Sequence, residues 1–96
     1  MDTSKNISVE QCCTYYKIET TFVQSLNDYG LITLTQTEEE YFIDYDQLAD
    51  LERFVHLHYD MDINLEGIEA ITHLLNRVHD LQHEVKQLRR ELGHGK

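Results

Sequence analysis

Six histidines and two cysteines are the side chains of this 96-residue chain with the widest chemical scope. His79 and His83 stand one helical turn apart, a spacing that can bring two imidazoles to one metal ion. His56 and His58 are separated by Leu57 and diverge on a helix, and no third ligand stands at zinc-site spacing. Cys12 and Cys13 are adjacent, and a bridge between neighbours strains the intervening peptide. Neither has a cation beside it in the sequence to lower its pKa, so both read as small buried thiols. The serines are Ser4, Ser8 and Ser25: one in the N-terminal stretch, one a helix cap and one on a helix surface. Glycines at 30, 67, 93 and 95 make no phosphate-cradling loop. Glu38-Glu39-Glu40 has the character of a solvated charge run on a hairpin tip, not of an acid–base pair. The expectation is a protein with no catalytic constellation, no metal and no cofactor.

The elements that position these residues follow from local pattern. Ser8-Val9-Glu10-Gln11 is a capping box that opens a first helix from about Val9 to Tyr15, with Ile7 placed to staple against Cys12. A turn at Tyr16 and Lys17 leads to a second helix, Thr20 to Tyr29, with Phe22, Val23 and Leu26 inward and Gly30 as a left-handed cap. Two short helices joined by a tight turn form a helix-turn-helix unit. Leu31–Thr35 and Tyr41–Ile43 read as the two strands of a hairpin at about 31–43, although its connection holds no glycine. Asp46 caps a third helix over 47–59, with Leu48, Leu51, Phe54, Val55 and Tyr59 inward. Asp60-Met61-Asp62-Ile63 interrupts it, and Asn64 caps a final helix carrying Glu66 and Glu69 near its positive end.

That last helix carries the clearest periodicity. Ile71, Leu74, Val78, Leu81, Val85, Leu88 and Leu92 alternate at spacings of three and four, a heptad seam. At about 1.5 Å per residue, residues 65–92 extend about 42 Å, too far for so small a domain to cover. The seam calls for a partner helix, most simply a second copy, and both parallel and antiparallel pairings stay open. His73, His79 and His83 fall away from the seam, at solvated positions. The division is a domain over 1–63 and a dimerisation helix over 64–96.

Charge bears on the partner. The formal net charge is −10. Between Lys17 and Arg53 no basic residue occurs, whereas Glu19, Asp28, Glu38, Glu39, Glu40, Asp44, Asp46, Asp50 and Glu52 do. From Arg77 onward, Arg77, Lys86, Arg89, Arg90 and Lys96 outnumber Asp80, Glu84 and Glu91. Binding to nucleic acid depends on Lys and Arg displacing counterions from phosphate. Here the second helix offers Glu19, Gln24, Asn27 and Asp28, and its hairpin is acidic, so direct DNA binding is not expected. The chain has no run of 18 apolar residues and no apolar run behind Met1–Asn6, so a cytoplasmic protein is expected.

The order of "VEQCCTYYKIETTFVQSLNDYGLI" and "DYDQLADLERFVHLHYDMDINLEGIEAITHLL" resembles that of MerR-type winged helices. "INLEGIEAI" is similar to the G-[FY]-S-L-E-E-I stretch that opens the later helices of that family. The resemblance implies a mainly α fold with a small β-hairpin: a winged helix-turn-helix followed by a long C-terminal coiled-coil helix. Lys17 stands where the family has glycine. Val23-Gln24-Ser25-Leu26 replaces Arg-Tyr-Tyr-Glu, and the wing arginines are missing. These departures, with Asn64-Leu65-Glu66-Gly67-Ile68, look like the chaperone-modulator (CbpM-like) branch. That branch implies a homodimer that binds the J-domain of a DnaJ-like co-chaperone, the curved-DNA-binding protein A, and restrains it. The acids Glu38, Glu39, Glu40, Asp44, Asp50 and Glu52 are the expected contacts, with Tyr41 and Tyr45 as anchors. A MerR-like transcription factor that binds DNA is the alternative, and a coiled-coil adaptor is a third reading.

Overall fold

A computed structural model describes residues 5–93; the readings placed on Met1–Ser4, Gly95 and Lys96 lie outside the described residues. The helix-turn-helix is formed by α1 (Val9–Tyr16) and α2 (Thr20–Asp28). Ser8 Oγ accepts from the Gln11 N–H at 3.1 Å, which realises one half of the capping box. Lys17 adopts φ +60° at the end of α1, the left-handed conformation that favours glycine. Gly30, at φ +75°, ends the α2 segment in the same region.

The sheet departs from the sequence reading in two ways. It has three antiparallel strands, β1 (Asn6–Ser8), β2 (Thr35–Thr37) and β3 (Glu40–Asp44), in the order β1-β3-β2. Ile7 pairs with Ile43, and Gln36 pairs with Tyr41. The first strand is too short to show alternation, and its hydrogen bonds to β3 are long-range. The expected strand over Leu31–Thr35 starts only at Thr35, because side chains satisfy the preceding backbone. Gln47 both donates to the Thr33 carbonyl and accepts from the Thr33 N–H, each at 2.8 Å, while Asn27 Oδ1 accepts from Leu34 N–H at 3.2 Å. Glu38 and Glu39 alone connect β2 to β3, and Glu38 takes φ +52°.

The third helix is also subdivided. A single 3-10 turn, Tyr45–Gln47, precedes α3 (Leu48–Val55), and a π-helical turn follows over His56–Asp60. Asp46 is therefore not an N-cap: it lies inside the 3-10 turn, and α3 begins without a side-chain cap. In the wide turn the Met61 N–H donates to the His56 carbonyl at 3.1 Å. Its extra residue rotates Tyr59 toward the surface, where it is 43% exposed instead of buried as expected. Asn64 Oδ1 accepts from Gly67 N–H at 2.8 Å and starts α4 (Leu65–Glu91).

Each helix and the middle strand place side chains in one core: Cys12, Val23, Leu26, Ile43, Leu51, Phe54 and Ile68 are 0–1% exposed. Such burial stabilises by about 1.5–3 kcal/mol for each larger apolar side chain. Beyond Ile68, α4 leaves this core. Its 27 residues span about 40 Å, and most of that length is solvated.

Candidate partner-docking surface

The structure distributes the predicted contact residues over separate regions. Glu38, Glu39 and Glu40 are exposed around the hairpin tip. Glu39, Glu40 and Tyr41 also border a depression of about 230 Å³ shared with Val9, Glu10 and Thr20, at the starts of α1 and α2. Tyr41 lies on the same sheet face as buried Ile43 and is 38% exposed, so part of its ring is committed to packing. Asp44 is half-buried at the opposite end of β3, and Tyr45, whose N–H donates to the Lys5 carbonyl at 2.9 Å, is exposed.

Asp50 and Glu52 leave α3 in different directions. Asp50 pairs with Arg53 at 3.1 Å and lines a cleft of about 490 Å³ between α3 and α4, with Phe54, Glu69 and Thr72. Glu52 instead accepts a 2.7 Å hydrogen bond from the Tyr16 hydroxyl of α1. Burial of Tyr16, reinforced by its bond to this carboxylate, raises its phenol pKa well above the ordinary range. The Tyr29 phenol is also raised, chiefly by donating to Glu66 at 3.0 Å.

Sequence reading missed the neighbours of Glu52. Tyr15 contacts Tyr16 edge-on at 4.9 Å and is 76% exposed. One turn beyond Glu52, His56 meets Asp60 at 2.8 Å. The spacing 52, 56, 60 was available in the sequence as a helical i, i+4 series. What could not be read was the register between α1 and α3 that sets Tyr16 against it.

The second helix of the helix-turn-helix presents polar and acidic side chains. The exposed residues of α2 are Thr20, Thr21, Gln24 and Asp28, with Glu19 at its start. Asn27, expected among the presented residues, is half-buried and engaged with Leu34. Glu19 places a carboxylate beside the positive end of α2, and its N–H donates to the Tyr59 hydroxyl at 3.2 Å. Tyr59 and His58 also pack on Phe22, with ring centroids at 5.3 and 4.6 Å.

On α4, the predicted seam begins at half-buried Ile71 and continues through Leu74, Val78, Leu81, Val85, Leu88 and Leu92, which are 46–70% exposed. A groove of about 630 Å³ along Val78, Leu81 and Val85 is lined by α4 alone. His79 and His83 are exposed on the same helix. Among the described residues, no three His, Cys, Asp or Glu side chains gather into a possible metal site. Cys12 and Cys13 are buried free thiols. Burial, followed by the charge of Cys13, pushes the Cys12 pKa up to about 11, the reverse of what a thiolate nucleophile needs. Among the described residues, no helix is long and apolar enough to cross a membrane.

The sequence profile described as "MerR HTH family regulatory protein" matches residues 7–90. No curated protein and no solved structure matches the chain. The match runs from β1 through nearly all of α4, and the helix-turn-helix, small sheet and long C-terminal helix are its frame. The chain belongs to the MerR HTH family of regulatory proteins.

Proposed function

We propose that this MerR-type chain is a non-enzymatic, homodimeric modulator that binds the J-domain of a DnaJ-like co-chaperone through its acidic surface and restrains it. The observation that carries this reading is the chemistry of the recognition helix. Glu19, Gln24 and Asp28 occupy α2 and its start, where a DNA reader needs cations, and the adjoining hairpin holds Glu38, Glu39 and Glu40. Each would add repulsion to a nearby phosphate, whereas the same charges steer a basic protein surface toward the domain. The exposed stripe from Leu74 to Leu92 supports the dimer, since a second copy supplies a matching apolar helix.

The second reading is a MerR-like transcriptional regulator, favoured by the retained helix-turn-helix frame and by the family match itself. Titrating the chain with a purified J-domain and, separately, with duplex DNA at low salt distinguishes them. Saturable J-domain binding that weakens with salt, and that lowers co-chaperone stimulation of Hsp70 ATPase, is the expected outcome. Tight, sequence-selective duplex binding without J-domain binding sinks the proposal and supports the regulator.

A further inference from the structure

No further inference is drawn: the strongest candidate, the cleft of about 490 Å³ between α3 and α4 that borders the exposed stripe of α4 at Leu75, has its Asp50 already paired with Arg53, and nothing in the structure shows what covers it.

Discussion

Replacing Leu81 with alanine tests whether the bare stripe of α4 is a self-association surface. Leu81 is 51% exposed, and Leu74, Val78, Val85, Leu88 and Leu92 are comparably uncovered. Burying the remaining half of such a side chain contributes about 1 kcal/mol. Six in each of two copies give on the order of 12 kcal/mol before costs. Lost translational and rotational freedom opposes this with about 4–15 kcal/mol, so the surplus is small and single truncations are visible. Leu81→Ala acts once in each copy and should remove up to about 2 kcal/mol per dimer, raising Kd by up to roughly 30-fold. Sedimentation equilibrium over a range of concentrations measures this. Far-UV circular dichroism should show helicity falling on dilution, since the far end of α4 loses its packing when the pair separates. Gln87→Ala, on the same helix but outside the groove along that stripe, serves as the control and should leave Kd unchanged. A wild-type chain that stays monomeric throughout the micromolar range refutes the reasoning, as does a Leu81→Ala variant with wild-type Kd.

Glu38→Gly should raise the urea midpoint by about 0.5–1 kcal/mol of stability, because relief of the positive-φ strain exceeds glycine's added unfolded-state entropy. Stability should fall as pH rises above 9. Cys12 ionises near 9 when unfolded but near 11 in the fold, so its stabilising contribution is complete below 9 and lost on rising through 11. The raised Tyr16 and Cys13 pKa values act in the same direction, and urea titrations at stepped pH measure the combined slope. Gln47→Ala should cost about 1–2 kcal/mol by releasing both backbone groups of Thr33, with amide exchange accelerated over residues 31–34 first.

Several helix ends were legible from local chemistry, although Asp46, read from the same kind of pattern as a cap, lies inside a 3-10 turn. Ser8, Asn64 and Gly30 mark boundaries through interactions within one helical turn, and all three occur where the pattern places them. Non-local decisions were not legible. Leu31–Ile32–Thr33–Leu34 has good strand composition, but Gln47 and Asn27 capture its backbone from elements distant in sequence. A strand of only three residues, Asn6–Ser8, carries no usable alternation and exists because β3 offers it an edge. The π-helical turn is invisible to a 3.6-residue pattern, and Tyr59 within it lies at the start of α2 and not in the core. Among the expected contact residues, exposure at the hairpin tip was readable from charge. The orientation of Glu52 was not, since it depends on a hydroxyl 36 residues away.

Tyr59 links that local irregularity to the start of α2, where charge bears on whether the helix can accept an anion. The first N–H groups of a helix normally attract phosphate. At the start of α2, the Glu19 carboxylate supplies the negative charge, while the Tyr59 hydroxyl takes the Glu19 N–H. Tyr59 is itself held there by its edge contact with the buried Phe22 ring, which stacks on His58. Adding lysines to the hairpin therefore changes the net charge but leaves the Glu19 carboxylate beside the α2 terminus. Duplex affinity is expected only when Glu19 is replaced as well, for example by serine, which supplies a cap and removes the charge. A hairpin lysine variant that binds duplex DNA as tightly with Glu19 as with Ser at position 19 shows that the terminus is not the barrier. A clear advantage for the serine variant at equal net charge locates the barrier at α2 itself.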